Sequence, residues 1–251
     1  MHTSSSGFNL RWLLCFVTIA AFNIQAAPLP PVAKPLVEPA MTLAVKPFDL
    51  CEVKLLDSPF KQAMDLNAGY LLSLEPDRFL HYFRVNAGFS PKAPAYGDWE
   101  SPTTGSGRCL GHYLSALSMQ YRASCDSRFK ERVDYIVNEL VICQQTNGFL
   151  SAQTNLAEAF AALATGHGDA LLKSRVPWYI QHKMFAGLRD AWNLTGNQQA
   201  RQILIRMADW AVAVTSKLDR EQFQIMLKQE WFGQGNYGVC PRQSRLRVMR
   251  H

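Results

Sequence analysis

Three runs of residues set acids, histidines or aromatic rings beside small residues near predicted helix starts. They are Tyr96-Gly97-Asp98-Trp99-Glu100, Gly111-His112-Tyr113-Leu114-Ser115-Ala116-Leu117, and Pro177-Trp178-Tyr179-Ile180-Gln181-His182-Lys183 leading into Ala186-Gly187-Leu188. This is the composition of a sugar site: a ring stacks on the apolar face of the sugar while a few convergent polar groups bond its hydroxyls in a concave surface. Trp99, Glu100, His112 and His182 are the candidate binding residues. Each has a structural competitor. Trp99 could plug a helix–loop joint, and Glu100 could cap the helix that follows it. His112 could be a core histidine with its bonds satisfied. His182-Lys183 could be a solvated helix face, although Trp178 and Tyr179 just before it count against that. No two carboxylates can be assigned as acid and nucleophile, because glycoside hydrolysis needs a controlled separation that spacing across loops does not give. The sequence holds no Walker loop, no H-E-x-x-H, no G-x-S-x-G and no dinucleotide fingerprint.

These runs must be positioned by helices. Asp57 or Ser58 can cap a helix with Pro59 in its first turn, and Phe60, Met64, Asn67, Leu71 and Leu74 follow at steps of four and three. Pro76-Asp77-Arg78 is read as its close, and Phe79 to Pro102 as a long irregular loop. Further helices are predicted from Gly107 or Arg108 to Ala123 and from Asp126 to Gln144. The second of these carries an apolar stripe of Phe129, Val133, Ile136, Leu140 and Cys143. A short Ala-rich helix spans Leu156 to Thr165, and longer ones run from Pro177 to Leu194 and from Gln198 to Lys217, with a last one from Asp219. Thr195-Gly196-Asn197 is a stop and restart signal. At an offset of 71 residues, Leu117, Tyr121, Cys125, Asp126, Val133 and Ile136 meet Leu188, Trp192, Gly196, Asn197, Leu204 and Met207. Repeated helical hairpins of this kind build solenoids or closed α/α toroids. The near absence of strand patterns excludes doubly wound sheets.

Four segments are expected. Residues 1–27 read as a signal peptide: Arg11 supplies the positive end, Trp12 to Phe22 is an apolar run too short to span a bilayer, and Ala26-Ala27 offers a cleavage point. The competing readings are an uncleaved anchor and a lipoprotein on Cys15, which Leu14 argues against. Export to the periplasm or beyond follows, with no stable membrane anchor. Residues 28–47 carry six prolines and form an extended lead-in. Residues 48–230 are the helical domain, opened by a short strand or extended arm from Phe48 to Leu56. Residues 231–251 are a basic tail without acids. The net charge of +6 falls to about +1 without Arg11, Arg242, Arg245, Arg247 and Arg250, so no basic stripe marks the body as a nucleic-acid binder. Of six cysteines, cleavage would leave five, with no C-x-x-C spacing to suggest a disulfide framework or a zinc ribbon.

Several ordered motifs resemble one family. Val53-Lys54-Leu55-Leu56-Asp57-Ser58-Pro59-Phe60 is similar to its opening, and Leu74-Glu75-Pro76-Asp77-Arg78-Phe79-Leu80, Phe83-Arg84 and Ala87-Gly88 continue it. Tyr96 to Glu100, Gly111 to Leu117, and Trp178-Tyr179 through His182-Lys183 to Ala186-Gly187-Leu188-Arg189-Asp190-Ala191 follow in order. Together, over roughly residues 48 to 230, they resemble the β-L-arabinofuranosidases of glycoside hydrolase families 127 and 146.

The resemblance implies an all-α (α/α)6 toroid, here incomplete at about half to two-thirds of the barrel, that releases non-reducing-end β-L-arabinofuranose from glycans with retention. It implies a cysteine thiolate nucleophile held on zinc by further cysteines and a glutamate, with a separate glutamate protonating the leaving oxygen. The Glu-Thr-Cys and Cys-Cys-Pro segments that carry zinc and nucleophile in that family do not occur in this sequence, and Val239-Cys240-Pro241 has only one cysteine. No catalytic residue is therefore carried over, and no zinc is expected on this chain. Gln229-Glu230-Trp231-Phe232-Gly233 resembles a disturbed family motif, which suggests a truncated or out-of-frame, inactive product. Two other readings stay open: a sugar-binding toroid protein without catalysis, and another α/α-toroid glycosidase or lyase using Glu100 or Glu230.

Overall fold

A computed structural model describes residues 44–45, 47–101 and 105–230. The predicted signal peptide, most of the lead-in and the basic tail lie outside the described residues. Among the described residues there is no strand. Eight α-helices follow one another: α1 (Pro59–Ser73), α2 (Pro76–Asn86), α3 (Arg108–Ser124), α4 (Ser127–Cys143), α5 (Leu156–Leu163), α6 (Pro177–Thr195), α7 (Gln198–Thr215) and α8 (Arg220–Met226).

The two echoed hairpins are α3–α4 and α6–α7, and their turns are built alike. Cys125 and Gly196 close the first helix of each pair in the left-handed conformation, with φ of 61° and 76°. Asp126 and Asn197 then cap the second helix, their side chains accepting from the amides of Arg128 at 3.0 Å and Ala200 at 2.8 Å. A tight turn of this kind forces the helices of a pair to run antiparallel, so their apolar faces meet.

The hairpins then pack side by side through α3 and α6. Gly111 lies against the backbone of Lys183 and Gly187. Further along both helices, Ser115 Oγ donates to Asp190 Oδ2 at 2.7 Å. Contacts that rise together along both helices make α3 and α6 parallel. Behind them α4 and α7 form an outer layer, tied where Asn197 Nδ2 donates to Asp134 Oδ1 at 2.7 Å and Gln144 Nε2 to the Ile203 carbonyl at 3.0 Å. Parallel inner helices backed by antiparallel outer ones form the repeating unit of an α/α toroid, the architecture the sequence predicts.

The core lies between the layers. Leu114 and Leu117 of α3, Val133, Ile136 and Leu140 of α4, Met184 and Leu188 of α6, and Leu204 and Met207 of α7 are all wholly buried. Each such side chain contributes about 1.5–3 kcal/mol relative to exposure. Cys143 belongs to the same cluster, as its place on the α4 stripe predicts. A second cluster gathers Phe149, Phe160, Trp178 and Trp210, with ring centroids 4.8 to 5.8 Å apart, and fixes the start of α6.

Two regions differ from the sequence reading. The expected loop after Pro76 begins instead with α2. Pro76 occupies the first helical position, where its missing N–H costs nothing, and Leu80 and Phe83 then bury on the core at helical spacing. The expected α1 stripe is not an inward face: Leu71 is buried, but Phe60 remains 77% exposed. The segment before α1 is an extended arm with a 3-10 turn at Leu50–Glu52. Asp49 pins it by accepting two hydrogen bonds from Arg122, from Nε at 2.8 Å and Nη2 at 2.7 Å. Among the described residues, no helix is long and apolar enough to cross a membrane.

Candidate functional site

Because α3 and α6 are parallel, their N-termini lie at the same end of the molecule. Each presents backbone N–H groups that lack partners within the helix. Neither helix has a capping side chain at its own N-cap, which is Gly107 (φ 101°) for α3 and Val176 (φ 42°) for α6. A positive φ on a β-branched residue is a strained backbone. Glutamates from elsewhere supply the caps. Glu100 accepts from the amides of Gly107 at 2.8 Å and Cys109 at 3.1 Å, one through each carboxylate oxygen. Glu230 does the same for Trp178 at 2.7 Å and Tyr179 at 3.1 Å. Both carboxylates are buried. Burial pushes the Glu230 carboxyl above its ordinary range, while the two amides pull it back.

One turn into these helices stand His112 and His182, close enough for their charges to be felt by one another. His112 is exposed and His182 half-buried. Both are held below the ordinary imidazole range, first by desolvation, which is only partial at His112, and then by positive charge. Lys183 and Arg108 act on His112, while Lys183, His112 and Arg189 act on His182. A neutral imidazole carries one donor and one acceptor, a match for sugar hydroxyls, although His182 Nδ1 is buried out of reach of a ligand. Lys183 places its ammonium over the Tyr179 ring, 4.8 Å from the centroid. The seam between the helices is closed by Ser115 and Asp190, and Arg189 Nη2 also reaches Asp190 Oδ1 at 3.1 Å.

Of the four predicted site residues, the structure therefore brings His112 and His182 into electrostatic reach of one another. Glu100 lies at the same end, with both oxygens engaged in capping α3. Trp99 sits in the 3-10 turn Asp98–Glu100 that delivers this cap. Sequence reasoning did not single out Lys183 and Tyr179. Their signal was available, since both lie within the same run as His182. A separate hollow of about 520 Å³ opens at the other end of α3, between the arm, α1 and α4, lined in part by Lys54, Met64, Gln120 and Phe129. It shares no residue with the histidine wall.

A zinc–thiolate centre does not fit the described residues. They contain no group of three or more His, Cys, Asp or Glu placed to hold a metal ion. Burial and the neighbouring Glu100 push the Cys109 thiol up to about 12, and burial pushes Cys143 up to about 11, so neither is a ready nucleophile by itself.

Comparison with known proteins agrees with this geometry at the family level. The family model for the β-L-arabinofuranosidase, GH127 catalytic domain, matches residues 52–238, well over half of the chain. No curated protein matches the sequence.

Proposed function

Since the chain belongs to the β-L-arabinofuranosidase GH127 catalytic-domain family, we propose that its α3–α6 wall binds the non-reducing-end L-arabinofuranose of a glycan. The observation that supports this most is the approach of His112 on α3 to His182 on the parallel α6, with both imidazoles held below the ordinary range. The ligand class follows from the family. The role of these particular histidines is our own assignment, and Trp99 is kept with them on the strength of the sequence alone.

The chain binds this sugar without turning it over by itself. The cysteine-rich segments that the family resemblance assigns to nucleophile and metal do not occur in the sequence, and the described cysteines do not fit that role. Acid chemistry by Glu100 or Glu230 is the less favoured reading, because each carboxylate already accepts two backbone amides. We assign the chain to an exported compartment on the same footing, from Arg11 and the apolar run Trp12 to Phe22. The mass of the mature N-terminus checks that assignment.

Calorimetry of the full chain with methyl β-L-arabinofuranoside tests the main proposal. Saturable heat that disappears in His112→Ala and His182→Ala, while both variants keep wild-type unfolding midpoints, is the expected result. Equal binding by wild type and both variants would overturn the assignment, and release of L-arabinose by the purified chain would overturn the claim about turnover.

A further inference from the structure

Resting on the reading that the α3–α6 wall holds an arabinofuranoside, we propose that the ammonium of Lys183 binds a carboxylate on the same glycan, so that the ligand class is an acidic, uronate-bearing arabinofuranoside. Lys183 is fixed in place by its backbone. Its carbonyl oxygen lies where a Cβ on Gly111 would approach to 2.2 Å, so the residue cannot slide along α3. Its ammonium rests over the Tyr179 ring at 4.8 Å, and none of the ion pairs among the described residues includes it. Two of the acids at this end are engaged elsewhere. Glu100 closes the first turn of α3 with both oxygens, and Asp190 is shared by Ser115 and Arg189.

Lys183 thus carries a positive charge that takes part in no ion pair among the described residues. Both histidines register it, since Lys183 lowers the proton affinity of each. A neutral sugar would leave that charge unpaired. A carboxylate would meet it with a charge-assisted bond, which is roughly twice as strong as a neutral one. A common anion in the chain of a glycan is the carboxylate of a uronic acid. A lysine, as a compact point charge, receives such a group without the planar two-point geometry an arginine imposes.

Calorimetry of the full chain with D-galacturonate, its neutral counterpart D-galactose, and methyl β-L-arabinofuranoside decides the matter. The expected result is that galacturonate binds about five-fold more tightly than galactose, the upper end for an exposed ion pair. That preference should vanish in Lys183→Met and in about 0.5 M sodium chloride, where screening is nearly complete beyond a few ångström, and survive in Lys183→Arg. If the arabinoside binds but galacturonate is no better than galactose, the carboxylate subsite is wrong and the arabinofuranose reading stands. If neither binds, both fail. If Lys183→Arg loses the preference as fully as Lys183→Met, shape rather than charge sets it, and the proposal is overturned.

Discussion

Gly187 approaches Gly111 so closely that a Cβ on Gly187 would lie 2.4 Å from the Gly111 carbonyl oxygen. The reciprocal Cβ on Gly111 would meet the Lys183 carbonyl at 2.2 Å. The two inner helices therefore touch backbone to backbone, and neither contact can be relieved by a side chain turning away. Gly111→Ala and Gly187→Ala should each destabilise the protein by about 1–3 kcal/mol or more, the range for overpacking a tight interior. Gly69 in α1 is the control. A Cβ there meets nothing within 4 Å, so Gly69→Ala should stabilise by about 0.5–1 kcal/mol through helix propensity. Urea midpoints measure all three, and a neutral Gly187→Ala would show that the α3–α6 contact is looser than described.

Glu100 and Glu230 each satisfy two buried helix-end amides. Replacing either by alanine leaves those donors without an acceptor, at a cost of about 1–3 kcal/mol. Glutamine keeps one acceptor oxygen, so Glu100→Gln should cost less than Glu100→Ala. Arabinoside affinity measured on the still-folded Glu100→Gln protein should change little. A large loss of affinity without loss of stability would return Glu100 to the sugar site.

How much of this was readable in the sequence depends on distance along the chain. The α3–α4 and α6–α7 hairpins were legible because their signals are local: a left-handed stop at Cys125 or Gly196, a cap at Asp126 or Asn197, then an apolar stripe. The α2 helix was missed because Pro76 reads equally as the end of one helix and the first residue of the next. Burial of Phe83 against the core, including contact near Gly107, settles that choice, and it is a tertiary fact. The Glu230 cap on α6 joins residues 51 and 52 positions apart, beyond any local pattern. Lys183 was passed over because an isolated lysine on a helix reads as solvated. Only the parallel register of α3 and α6 sets it beside both histidines.

The arm before α1 should come loose in acid. Arg122, which is almost wholly buried, holds the Asp49 carboxyl well below the ordinary carboxylate range. A depressed folded value means the unfolded chain binds the proton first. The stability from this pair is therefore fully present above the ordinary aspartate value of 3.8 and is lost as pH falls below it toward the folded value. At pH 7, Asp49→Asn should cost about 1–3 kcal/mol, because Arg122 is left without its anion. The gap between wild type and Asp49→Asn should hold from about pH 6 to pH 5 and narrow only as denaturation midpoints are followed below about pH 4. A constant gap would mean the arm is held by packing rather than by charge.

The histidine wall makes the last prediction. Both His112 and His182 are held below 6.5, by burial first and by Lys183 second. With a lowered folded value, the unfolded chain takes up protons first as pH falls. The wall is therefore at full stability above the ordinary histidine range and loses stability as pH drops through 6.5 toward the folded values. Titrating the imidazole resonances by NMR should give apparent values below 6.5 for both. Lys183→Met removes a repelling charge, so both values should rise, and His112→Ala should raise that of His182 by a smaller amount. Values at or above 6.5 in the wild type would mean that negative charge faces these rings, and the cationic wall on which the carboxylate subsite depends would not exist.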